Sequence, residues 1–118
     1  MSDVITPQMV EDELRKMSKD VDASFEYLSK SESTYFKVKA DYEIQLARAR
    51  VTLATGVKKL TVQEKEDHAL LATERLHYEL ATAEAEVRSA RANAQRVRTQ
   101  VDILRSVGTS VRSSMETV

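Results

Sequence analysis

Between Pro7 and Gly108 the chain carries one glycine, Gly56, and no proline. A helix stops cleanly where a residue turns left-handed and restarts where a side chain accepts from a first-turn N–H. Gly56 and the box Thr61-Val62-Gln63-Glu64 supply both within nine residues. The chain therefore reads as one all-α domain, a long antiparallel helical hairpin over residues 1–118. Arm one runs from about 7 to 55, a turn from about 56 to 61, arm two from about 62 to 107 and a tail from 108 to 118. At about 1.5 Å per residue each arm spans about 70 Å. Thr6-Pro7 marks the first start, since the Thr hydroxyl can accept from the first turn and Pro has no N–H to lose there.

Two such arms in 118 residues cannot enclose a compact core alone, so self-association, as a homodimer or higher, is expected. There is no cysteine, which removes disulfides and thiolate metal sites and fits an intracellular chain. A net charge of -1 draws the chain neither to nucleic acid nor to anionic lipid. No apolar run approaches the roughly 18 residues of a membrane span, and Met1-Ser2-Asp3-Val4 lacks the basic and apolar parts of a signal region. A soluble protein of the cytoplasm, with no membrane partner, is the expectation. The balance of 42% hydrophobic, 31% charged and 5% aromatic residues suits amphipathic helices better than a ligand-enclosing core.

Arm two carries a heptad seam at steps of four and three: Leu76, Leu80, Ala83, Val87, Ala90, Ala94, Val97, Val101 and Leu104. The register extends through Val62, Glu66, Ala69 and Thr73 on one side and Gly108, Val111, Met115 and Val118 on the other. Of these 17 positions 14 are apolar, a regularity that points to a coiled coil. Ala83, Ala90 and Ala94 invite close approach of a partner helix, at the cost of less buried area than leucine would give.

Arm one is less regular: Val10, Leu14, Met17, Val21, Phe25 and Leu28, then Tyr35, Val38, Tyr42, Leu46, Ala49 and Leu53. The double steps of four at 17-21-25 and 38-42-46 predict local unwinding of a left-handed supercoil. Between the two sets lies Ser29-Lys30-Ser31-Glu32-Ser33-Thr34, rich in residues that prefer caps to helix interiors. A continuous or bent helix and a break into three helices both fit this stretch. Phe25, Phe36 and Leu70-Leu71 exceed what one two-helix seam can bury, which favours two hairpins packed as a four-helix dimer. Gly108 interrupts the seam, so arm two is expected to weaken there, leaving a frayed tail.

Charge comes in alternating blocks. Residues 1–32 hold eight acidic and four basic side chains, 33–60 two and six, 61–87 seven and two, and 88–118 two and six. Folding back near residue 58 sets each acidic block against a basic one. Exposed pairs are worth under about 1 kcal/mol each, so this pattern selects orientation more than it stabilises.

Arg91, Arg98, Arg105 and Arg112 recur every seven residues, in line beside the seam. One reading is a ridge that follows a phosphate backbone. In the hairpin, however, these positions approach Glu26, Asp20 or Asp22, Glu11 or Asp12, and Asp3, and no aromatic between Arg88 and Arg112 offers a base a stacking platform. Pairing of this charge inside the protein is the stronger reading, and direct nucleic-acid binding the weaker. Glu74 and His77 have the Glu-x-x-His spacing of di-iron bundles, and Glu64 and His68 lie one turn apart. Each lacks the further inward carboxylates such a site needs, so neither a metal nor a cofactor is expected. With no glycine-rich phosphate loop and no turn to hold a nucleophile, base and acid, the chain does not read as an enzyme.

Ala47-Arg-Ala-Arg50, Gly56-Val-Lys-Lys-Leu-Thr-Val-Gln-Glu-Lys65, Leu71-Ala-Thr73 and Ala83-Glu-Ala-Glu-Val-Arg-Ser-Ala-Arg91 resemble small coiled-coil helical-hairpin proteins of tailed bacteriophages. The resemblance covers roughly residues 40 to 112 and assigns no site residues. It implies a non-enzymatic oligomeric adaptor or accessory factor in phage DNA recombination or replication, working through contacts with another protein in the host cell cytoplasm. A phage assembly scaffold or chaperone, docking through the tail or the Tyr-rich first arm, is the alternative.

Overall fold

The computed structural model describes residues 4–56 and 59–116. Within them the regular structure is helical: α1 (Pro7–Ala54), α2 (Val62–Ala72) and α3 (Glu74–Glu116). The expectations that touch Asp3, the turn residues Val57 and Lys58, and Val118 lie outside the described residues.

Both helix starts follow the local chemistry. Thr6 Oγ1 accepts from Met9 N at 3.2 Å, and Thr61 Oγ1 accepts from Glu64 N at 3.1 Å. The stop between them does not. Gly56 ends the first arm without a positive φ, so the left-handed glycine cap is corrected. At the end of that arm Thr55 N donates to Val51 O at 3.0 Å, and Thr55 Oγ1 donates to Val51 O at 3.0 Å and to Thr52 O at 3.3 Å, the last a carbonyl that the final turn leaves open.

The contacts divide the chain into two compact units. One combines the residues up to Ser29 with those from Ser89 onward, and the other spans Lys30–Arg88. The physical reason is that side chains in a two-helix seam meet only the facing turn, so no single core gathers them. Each unit is an antiparallel helix pair. In the first, Val10 faces Gly108 and Phe25 faces Arg98; in the second, Tyr42 faces His77 and Arg50 faces Glu66.

Along α2 and α3 the buried residues are Ala69, Thr73, Ala83, Val87, Ala90, Ala94, Val97, Val101 and Gly108. Leu76, Leu80, Leu104 and Val111 are half-buried, while Val62 and Met115, at the two ends of the register, are exposed. Small residues disappear under the facing helix, whereas the leucines reach past its edge. The alanines therefore allow close approach but contribute about 0.8 kcal/mol apiece for one methyl group, against about 1.5–3 kcal/mol for a fully buried Val or Leu.

Three expectations need correction, and one choice left open is decided. Phe25 is not in the seam of α1: it is 43% exposed, and Ser24, 4% exposed, takes the place. Ser31 is buried as well, so the contact face runs Val21, Ser24, Leu28, Ser31, Tyr35 in alternating steps, and the double step at 17-21-25 disappears. Hydroxyls hid this register, because Ser24 Oγ donates to Val21 O at 2.8 Å and so needs no water. Next, α1 is one helix through the serine-rich stretch. Third, arm two is split at Thr73, whose hydroxyl donates to Ala69 O at 2.9 Å and whose amide donates to Leu70 O at 3.2 Å. The side chain competes with the helix for the Ala69 carbonyl, and the backbone tightens to a three-residue step. Last, Gly108 does not end or weaken α3. It is buried against Val10, and the helix continues to Glu116, so the frayed tail is replaced by helix in the described residues.

Candidate functional site

The arginine line lies on the flank of α3 in the first unit, and α1 supplies an aromatic to it. Arg98 Cζ stands 5.6 Å from the Phe25 ring centroid, so its neighbour across the seam is a π face rather than Asp20 or Asp22. Arg105 and Arg112 border a small hollow of about 40 Å³ together with Glu11, Val10 and Gly108, and Arg112 Nε donates to Gly108 O at 3.4 Å. Arg91 also engages a neighbour. The line thus meets α1 at the Phe25 ring and beside Glu11, while Arg112 bonds back to the backbone of α3 itself. Phe25 is distant in sequence from Arg88 to Arg112 and comes from the other helix, so no pattern within α3 marks it.

Arg50 and Glu66 form the two-pronged ion pair of the second unit: Nη2 to Oε1 at 2.6 Å and Nε to Oε2 at 3.2 Å. The hydrogen bonds from Arg50 hold the Glu66 carboxyl below its ordinary range, and the same bonds raise the Arg50 guanidinium. Glu66 occupies a seam position of arm two, so this pair sets α1 against α2 where an apolar contact would otherwise stand.

Glu74 and His77 line one hollow, but the His77 ring is turned to Tyr42 at 5.8 Å and Tyr78 at 6.2 Å between centroids. Among the described residues no group of three or more His, Asp or Glu side chains could hold a metal ion.

Outside its buried seam the second unit carries large apolar side chains on its surface. On α1, Phe36, Ala40, Ile44, Ala47 and Val51 follow one another at steps of four, four, three and four, all exposed. On α2 and α3, Leu70, Leu71, Glu74, His77 and Tyr78 line a hollow of about 260 Å³ that straddles the step at Thr73. Tyr78 and Glu74 also border a shallow groove of about 660 Å³ floored by Val38 and Ala83. Phe36 and Leu70-Leu71 stand outside the seam, in keeping with the apolar surplus in the sequence; the stripe through Ile44 and Val51 was missed. Its signal was a second helical period, offset by one residue from Tyr35 and obscured by the lysines and arginines between its members.

No described helix is long and apolar enough to cross a membrane. No protein-family model matches the chain, and neither the curated proteins nor the solved structures compared with it include a match.

Proposed function

We propose that the chain is a non-enzymatic helical-hairpin adaptor that acts through protein contacts, as an accessory factor in phage DNA recombination or replication. The observation that carries the contact role is the apolar surface outside the seam. Phe36, Val51, Leu71 and Tyr78 are each more than 60% exposed, while the buried positions of this unit are held by Ser31, Leu46, Ala69, Thr73, Ala83 and Val87. Large apolar side chains grouped outside a seam are the usual mark of a surface that another protein covers. The phage setting rests on the resemblance of the Ala/Arg/Glu-rich stretches noted above. A scaffold role would draw on the same surface, but the frayed docking tail invoked for it is helical up to Glu116.

The adaptor reading expects the chain, purified from cells that make it, to retain a second protein of the DNA-processing machinery and to lose it on Tyr78→Glu. It also expects no mobility shift of DNA by the chain alone at low ionic strength. A salt-dependent shift abolished by Arg91→Glu, Arg98→Glu and Arg105→Glu would replace this reading with direct binding to phosphate.

A further inference from the structure

We infer that the groove between α1 and α3 takes a basic amphipathic helix of another protein, seated on the apolar floor and selected by the acidic rim. This deepens the adaptor reading, on which it rests, by naming the chemistry of the partner. The groove holds about 660 Å³ and lies wholly within the second unit. Val38 of α1 and Ala83 of α3 floor it, and Tyr78, 63% exposed, stands on its border. A shallow apolar trough between two helices is the shape into which a further helix lays its apolar face.

Charge selects the occupant. The lining carries three carboxylates, Glu74, Glu79 and Glu86, and one cation, Arg75. Arg75 is bonded to Glu79 at 3.1 Å, so it answers one carboxylate and leaves two. Among the described residues no cation is bonded to Glu74 or Glu86. The wall from α1, Thr34 and Val38, is neutral. Charges next to that wall do not alter the balance: Lys37 and Asp41 offset each other, and Lys30 engages a neighbour. Arg88, further along α3, is bonded to Glu84 at 2.8 Å. The rim therefore keeps two unanswered negative charges, which draw a basic helix and repel an acidic one.

Spacing narrows the occupant further. Glu74 and Glu86 are twelve residues apart, about 18 Å along α3. A helix lying along the groove meets both when its own cations are about twelve residues apart, with apolar residues at steps of three and four between them. Glu74 and Tyr78 also line the hollow with Leu70 and Leu71, so a second apolar site adjoins the groove at its Glu74 end. Exposed carboxylates contribute little each, so apolar contact supplies the affinity and charge the choice of partner.

The test titrates the full chain into two fluorescently labelled peptides of about 18 residues, read by anisotropy. One is built of leucine and lysine in helical amphipathic order, and the other has glutamate in place of every lysine. The lysine peptide should saturate, and the glutamate peptide should bind about tenfold more weakly or not at all. Glu74→Lys combined with Glu86→Lys should weaken the lysine peptide about tenfold, and Tyr78→Ala should weaken it too, with helicity unchanged by circular dichroism. Asp20→Lys combined with Asp22→Lys makes the same change of net charge in the other unit and should leave affinity within about twofold. Equal weakening by the two charge pairs, or equal affinity for the two peptides, overturns the inference, because the attraction is then global charge or unselective apolar contact. Absence of saturable binding also overturns it. The adaptor reading survives each of these results if the chain still retains a cellular protein that Tyr78→Glu releases, since a partner of other chemistry then covers the surface.

Discussion

Gly108 and Val10 meet so closely that a Cβ on residue 108 would lie 2.9 Å from Val10 Cγ1. Real carbons do not approach to that distance, so glycine at this seam position is a packing requirement rather than a helix stop. Val10 cannot readily yield, because its branched Cβ restricts χ1 in a helix. Gly108→Ala sets a gain in helix propensity of about 1 kcal/mol against an overpacking cost of about 1–3 kcal/mol. The expected net result is a loss of about 1 kcal/mol, the difference of those two terms. In a Val10→Ala background the clash is gone, and the same substitution should stabilise by up to about 1 kcal/mol. Denaturant midpoints for the four chains of this cycle check the reversal of sign; additive effects would show that the two residues are not coupled.

Ser24 and Phe25 give opposite forecasts for the same substitution. Ser24→Asp places a carboxylate in the seam without a partner and should cost several kcal/mol. Phe25→Asp gives up a half-buried ring but offers Arg98 a carboxylate, so its cost should be about 1 kcal/mol. Thermal melts of the two variants decide between the registers, and a larger loss at residue 25 would restore the aromatic to the seam.

The Arg50–Glu66 pair should make stability depend on pH. Because Glu66 titrates lower in the folded chain than its ordinary range, its contribution is complete above that ordinary range. It is lost as pH falls through the lowered folded value. Urea midpoints measured from neutral to acid pH should therefore fall in wild type and fall less steeply in Glu66→Gln. Equal slopes would show that the pair does not contribute through this carboxylate.

Thr73→Val keeps the buried shape and removes the hydroxyl that occupies Ala69 O. The amide of residue 73 is then free to rejoin the i−4 ladder and join α2 to α3. Stability should change by less than about 0.5 kcal/mol, since Val and Thr have similar helix propensities. Amide exchange at residue 73 should slow. Unchanged exchange would assign the step to packing in the seam instead of to the hydroxyl.

Much of the fold was legible because helix starts and heptads are local or periodic. Thr6 and Thr61 cap as their positions imply, and the line from Ala69 to Val111 is buried or half-buried throughout. Less of the candidate site was legible. Phe36 and Leu70-Leu71 could be counted as surplus, but a count does not say which face carries them. The stripe through Ile44 and Val51 shares its helix with a stronger seam period.

The sequence by itself determined that the arms are helical, where each begins, and that they lie antiparallel, since these follow from hydrogen-bonding side chains, a repeat of seven and alternating charge. Only the tertiary structure decided that Ser24 and not Phe25 enters the seam, that Gly108 packs instead of ending α3, and that Arg98 rests on a ring. Each of those depends on the space left by a residue on the facing helix, and burial there rewards fit across the seam over hydrophobicity along the chain.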